Sequence, residues 1–258
     1  MRYVGVDLAW TDHRGSGLVV LDERGRVQSW AYRVELDAVA SFCLAQTEEP
    51  PTVVAIDAPL TVPNETGHRA VDRALMRLFA GRRLGVHAAS RRRLREVYGG
   101  LRGERLVERL AGRGCQIIEV YPHAALIAWS DLPAPLAYKR GSRDERLAGL
   151  QRLVDLLRRR ADADPPLDLD SVPWLPGGGE PATSTAAVER MESLLDALIC
   201  AHVAAFWHRW GTTRCARLGD GEGAYLVTPL PGVGGGAHPS REDGEGDAAG
   251  AGPHREAR

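Results

Sequence analysis

The first ten residues, MRYVGVDLAW, read as an apolar strand that carries one aspartate, Asp7, near its end. A carboxylate in a run that otherwise reads as buried must be hydrogen-bonded, ion-paired or bound to metal, because desolvating it unpaired is strongly unfavourable. The pattern returns in TVVAIDAPL, where Asp57 ends a second apolar run, and in CQIIEVYP, where Glu119 sits in a third. A fourth acid, Asp196, interrupts the apolar helical run MESLLDALICAHVAAF. Any one of these alone reads equally as a paired core acid or a helix cap. Four of them, at strand ends and on one helix, point to a shared divalent-metal site.

The periodicity around these acids predicts the order of the elements. Residues 2–9, 17–22 and 26–34 alternate like three strands of an antiparallel meander, with ERGR as a tight turn. Residues 36–45 have helical spacing, and TVVAID (52–57) is an uninterrupted apolar run of the kind buried on both faces of a sheet. A helix is predicted over 68–80, and a helical stretch over 90–110 interrupted around Gly99 and Gly100. CQIIEVY is the fifth strand, and Pro122 suits the first turn of the helix that follows it. An amphipathic helix over 143–160, a Pro-, Asp- and Gly-rich loop over about 161–181, and a long helix capped by Thr183 or Ser184 and running to Trp210 come next. TRCARLG and AYLVTP are two short candidate strands, and residues 231–258 lack large apolar side chains and read as a disordered tail.

At 258 residues and 44% hydrophobic, the chain is long enough for one generous domain, placed at 1–230. Basic and acidic residues nearly cancel, 33 against 34, so no global field marks a nucleic-acid or membrane partner. The distribution is uneven: residues 67–114, read as a helical, arginine-rich insertion, hold thirteen arginines and four acids. The four cysteines show no CxxC spacing, and Cys200, His202, His208 and Cys215 suit no standard zinc site, which points to a reducing compartment. With no cleavage-site sequence near Met1 and no run of roughly 18 apolar residues, the expectation is a soluble cytoplasmic protein without a membrane partner.

The segments GVDLAW (5–10), AIDAPL (55–60), RAVDRAL (69–75), EVYPHAAL (119–126), YKRGSRDERLAGL (138–150), LDALICA (195–201) and LGDGEGAYLVTP (218–229), in this order, resemble the DUF429 family of predicted ribonuclease H-like nucleases. The resemblance implies an α/β, ribonuclease H-like fold: a mixed five-stranded sheet, three strands antiparallel and then two parallel, with flanking helices. It implies that Asp7 and Asp57 lie side by side, with Asp196 closing the site from above. It further implies Mg²⁺ or Mn²⁺ as cofactor, as one or two ions about 4 Å apart, and phosphodiester hydrolysis on DNA or RNA. Asp7 would bridge the ions, Asp57 and Asp196 would complete the coordination spheres, and Glu119 would be a further ligand or an anchor behind them. Glu192 lies one turn before Asp196 and reads as a substitute ligand or as a solvated helix residue. The Asp-x-x-Asp pair of resolvase-type members is absent, Ser193 and Asp196 standing in its place.

Lys139, the only lysine in the chain, reads either as a phosphate contact in the catalytic set or as a surface residue. Arg69, Arg91, Arg92, Arg93 and Arg95 read either as nucleic-acid contacts or as a solvated charged face, and Arg69 is also spaced to pair with Asp72. Two other functions compete with a nuclease. An actin- or sugar-kinase-like phosphotransferase or ATPase would need a Gly- and Thr-containing phosphate hairpin after Asp7, where the chain has Leu-Ala-Trp-Thr. A non-catalytic nucleic-acid-binding or scaffold protein would keep the acids as structural groups.

Overall fold

A computed structural model of the chain describes residues 1–47, 52–170, 172, 174–175, 184–219 and 225–233. The strands are β1 (Arg2–Asp7), β2 (Ser16–Leu21), β3 (Val27–Arg33), β4 (Thr52–Asp57), β5 (Cys115–Val120), β6 (Cys215–Leu218) and β7 (Leu226–Pro229). The helices are α1 (Leu36–Leu44), α2 (Ala70–Leu78), α3 (Arg91–Tyr98), α4 (Arg102–Leu110), α5 (Pro122–Ser130), α6 (Arg143–Arg158) and α7 (Thr185–Trp210).

One sheet runs in the order β3-β2-β1-β4-β5-β7-β6. β1, β2 and β3 pair antiparallel, while β4, β5 and β7 continue parallel to β1. The first five strands thus have the ribonuclease H-like arrangement. The expectation of five strands falls short by two: the two short candidate strands extend the sheet, β7 beside β5 and β6 antiparallel at the edge. Element ends moved by one to three residues. α2 begins at Ala70 rather than 68 because the Arg69 backbone N–H is capped by the Asp72 carboxylate at 2.9 Å. The segment expected to be a disordered tail lies outside the described residues beyond 233, as do residues 171, 173 and 176–181 of the 161–181 loop.

The sheet is buried on both faces, which is why β1 and β4 read as nearly continuous apolar runs. Alternate side chains serve different layers. Val4, Val6, Val54 and Ile56 pack against α1 and α4, whereas Tyr3, Val53, Ala55, Ile118 and Val120 pack against α7, α5 and α6. The interruption at Gly99 and Gly100 separates α3 from α4, and Ser90 caps α3 by accepting the Arg93 N–H. Ser184 caps α7 by accepting the Ala187 N–H at 3.1 Å, and Ser142 and Glu145 form a reciprocal cap on α6.

α7 fixes the geometry of the site. It crosses β1 and β2 so closely that a Cβ on Gly5 would overlap the Ala197 carbonyl, and one on Gly17 the Ser193 carbonyl. The Gly17 N–H donates to the Ser193 hydroxyl at 2.8 Å, and at the far end Tyr3 Oη meets His208 Nδ1 at 2.9 Å. Gly5→Ala is therefore expected to lift the helix and destabilise the fold by about 1–3 kcal/mol, the usual cost of overpacking. Urea unfolding checks this; an unchanged midpoint would contradict the close approach.

Candidate metal centre

β1 and β4 are paired in parallel with Asp7 opposite Asp57, so both carboxylates emerge on the same face at the carboxyl ends of their strands. That is the face over which α7 lies. The helix presents Asp196, fully buried, and one carboxylate oxygen from each of Asp7, Asp57 and Asp196 lies within 4.8 Å of the other two. Neighbouring residues support the acids. Ser193, one turn before Asp196, is tied to Gly17, the strand partner of Asp7, and favours the charged form of Asp7, while Tyr138 Oη donates to Asp196 Oδ1 at 2.6 Å. The Lys139 ammonium, reaching in from an exposed position, pairs with Asp196 Oδ2.

Three carboxylates facing one ammonium leave the centre short of positive charge. Burial, reinforced by the charges of Asp196 and Glu192, pushes the Asp7 carboxyl up to about 6 against the pull of Lys139 and Ser193. Burial and the Asp7 charge likewise hold Asp57 well above the carboxylate range. Burial works against the charge of Lys139, yet Asp196, Asp7 and Asp57 together keep its ammonium above its ordinary value. An all-carboxylate donor set at this spacing, with its anionic state penalised, fits a hard divalent cation such as Mg²⁺ or Mn²⁺.

Glu119 does not join these acids. Its register partner on β4 is Ile56, not Asp57, so its side chain leaves the sheet on the opposite face. There Arg69 forks it, Nη2 to Oε1 at 2.5 Å and Nη1 to Oε2 at 2.8 Å, and the Leu60 N–H donates to Oε2 at 2.9 Å. Arg69, read either as a nucleic-acid contact or as a partner of Asp72, does pair with Asp72; it is buried between Asp72 and Glu119 and also donates to the Thr61 carbonyl, which takes it off the nucleic-acid surface. The pair holds the turn that follows Asp57. Glu192 is likewise engaged, by Arg146 through two contacts of 2.7 Å.

The remaining arginines sit beside the centre. α3 packs through Leu94 into a small hollow lined by Leu8, Trp10, Ala58 and Pro59, the residues just after Asp7 and Asp57. Arg92, Arg93 and Arg95 are exposed on this helix; Arg95 makes only a loose 3.9 Å pair with Glu65, and Arg91 is held by Glu104 at 3.1 Å. Trp10 stands edge-on to Tyr98 at 4.9 Å and to His87 at 6.3 Å. Sequence reasoning missed Tyr138 and the role of Ser193. Helical spacing from Asp196 and adjacency to Lys139 were the signals available for them.

The family model described as a protein of unknown function, DUF429, matches residues 5–217. The chain belongs to the DUF429 family. No curated protein sequence matches it. Among solved structures, that of Thermus thermophilus RuvC superposes with a TM-score of 0.39 at 13% identity, covering 82% of this chain and 98% of that one. A likeness this loose carries no weight for the DUF429 chain; its strand order and carboxylate geometry stand on their own.

Two outcomes follow for this DUF429 protein. Glu119→Ala leaves Arg69 with Asp72 as its one acid and takes the acceptor from the Leu60 N–H, and is expected to cost about 1–3 kcal/mol in urea unfolding, as unsatisfied buried donors do. Because the folded-state Asp7 carboxyl titrates near 6 rather than 3.8, the native metal-free protein binds more protons than the unfolded chain between those values. Its stability in EDTA should fall as pH rises through that window. Asp7→Asn should remove that loss, so the variant is the more stable at neutral pH and the gap closes toward pH 3.8. Parallel thermal-unfolding curves across pH would contradict this.

Proposed function

We propose that this DUF429 protein is a divalent-metal-dependent nuclease that hydrolyses phosphodiester bonds of DNA or RNA. The convergence of Asp7, Asp57 and Asp196 at the carboxyl ends of two parallel strands, beneath one helix, carries this reading. A divalent ion held by these three carboxylates would supply the charge that activates water for in-line attack and stabilises the departing oxygen.

Each residue then has a task that its position supports. Tyr138 fixes the orientation of Asp196, and Ser193, beside Asp7, favours its charged form. Lys139 neutralises Asp196 in the metal-free state and, being exposed, is free to turn outward to a non-bridging phosphate oxygen once an ion takes over that charge. Glu119 and Arg69 are positioning residues: they hold the backbone at Leu60 and Thr61, and so keep the end of β4 in place. Arg92, Arg93 and Arg95, on the helix packed beside the strand ends, supply the backbone-phosphate contacts.

Metal-dependent thermal unfolding and cleavage assays test the reading together. Mn²⁺ or Mg²⁺ is expected to raise the unfolding temperature of wild type by native-state binding, and to leave Asp7→Asn and Asp57→Asn unmoved. Single-stranded, duplex or branched nucleic acid should be cut with wild type and metal, with loss of at least about a hundredfold in either variant. Charge removal at Arg92 and Arg93 should weaken binding and flatten its salt dependence by about 0.7–0.9 per contact. Stabilisation by metal without cleavage of any nucleic acid would retain the metal site and overturn the nuclease.

A further inference from the structure

A second charged site lies on the far side of α7 from these acids. Arg160, just past the end of α6, is only 7% exposed. Its guanidinium stacks 4.5 Å from the Trp129 ring and 5.9 Å from that of Phe206. Its Nε donates to His202 Nε2 at 2.8 Å, which requires a neutral imidazole protonated on Nδ1. Burial and the neighbouring Arg160 charge hold His202 well below its ordinary value, as that tautomer needs.

What the guanidinium lacks is an acid. Among the described residues no carboxylate pairs with it, and its two terminal amino groups have no hydrogen-bond acceptor. Isolated buried cations are strongly disfavoured, and the other buried arginines among the described residues have an acid: Arg69 has Glu119 and Asp72, and Arg102 has Asp12 together with two carbonyls. Arg160 also lines a pocket of about 410 Å³, with Trp129, Leu156, Arg159, Ser130 and Gly232 among its walls. Asp131, which also lines the pocket, is already paired with Arg82 at 2.6 Å, so its charge does not answer Arg160. Trp129 adds a buried indole N–H without a partner.

We propose that this pocket binds a small organic oxyanion, a carboxylate or phosphate carried on an apolar body, with the two free amino groups of Arg160 as its fork. A planar guanidinium held by stacking and by one hydrogen bond is preorganised for bidentate contact with such a group. The walls supplied by Trp129 and Leu156 favour an aromatic or aliphatic body over inorganic phosphate alone, and the volume suits a small molecule. The proposal is independent of the nuclease reading, since His202 stands six residues beyond Asp196 on α7 and no residue is shared between the two sites.

Calorimetric titration of the full chain with inorganic phosphate, phenyl phosphate and benzoate decides it. Saturable binding of phenyl phosphate or benzoate by wild type is expected, with the preferred probe naming the head group. At least a tenfold loss is expected in Arg160→Met, with unchanged binding in Asp7→Asn. Leu156→Trp, which leaves Arg160 intact and fills the pocket, should abolish binding as well and covers the case in which Arg160→Met fails to fold. No binding of any probe by wild type, or equal binding by Leu156→Trp, would overturn the proposal.

Discussion

The backbone of α7 lies directly on the backbones of β1 and β2, and the arrangement at the carboxyl end of the sheet depends on that contact. Gly5 and Gly17 remove the side chains that would hold the helix off, so the carbonyls of Ala197 and Ser193 come down to the strands. A helix seated on ordinary side chains would stand about 10 Å from the sheet, and a short aspartate on it could not reach acids on the strands below. Lowered at these two points, α7 brings Ser193 to Asp7 and the carboxylate of Asp196 within 4.8 Å of its two partners. The hydrogen bond from Gly17 to Ser193 then ties the helix to the hairpin against the repulsion of the acids.

That geometry separates acids that look alike in the sequence. Asp57 ends one apolar run and Glu119 sits in another, and composition cannot tell their roles apart. The sheet does so by register: Asp7 opposite Asp57 puts two carboxylates on one face, whereas Ile56 opposite Glu119 sends the third to the other. The first, with Asp196, faces a set of like charges. The second faces Arg69, a fixed cation. The strands, helices and chain order were legible because period-2 and period-3.6 patterns are local. Asp7, Asp57 and Asp196 were legible as candidates because acids in apolar runs need partners. Face parity across a parallel pair depends on register, which no single strand encodes, so the place of Glu119 was not legible. Tyr138 was hidden for a related reason: a tyrosine in an irregular segment carries no periodic signal, and only the tertiary fold shows its hydroxyl on Asp196. β6 and β7 were visible as strands but not as members of the sheet, since pairing with β5 is a long-range choice.

The arginine-rich segment divides in the same way. From the sequence it is one basic stretch; in the fold, Arg69 and Arg102 are interior struts, Arg91 is paired with Glu104, and Arg92, Arg93 and Arg95 remain on the outer face of α3. A local excess of arginine over acid therefore overstates the charge available to a polyanion. Exposed arginines also remain elsewhere in the segment, Arg73 and Arg77 on α2, Arg83, Arg105 on α4 and Arg113, so the three on α3 are the ones set on the helix that packs beside the strand ends.

Arginine supplies nearly every cation in this chain, so the one lysine is informative. A guanidinium grips a carboxylate with two parallel bonds, as Arg146 grips Glu192 and Arg69 grips Glu119, and such a clamp does not release readily. At Asp196 a clamp would occupy both oxygens, including the one that lies within 4.8 Å of Asp7 and Asp57. An ammonium on a flexible stem balances the charge from one side, leaves Oδ1 to Tyr138, and can leave by rotating bonds on its exposed stem. Where the charge is answered by a two-bond clamp the chain uses arginine; under the proposed function Lys139 is the one answer that an arriving ion would displace.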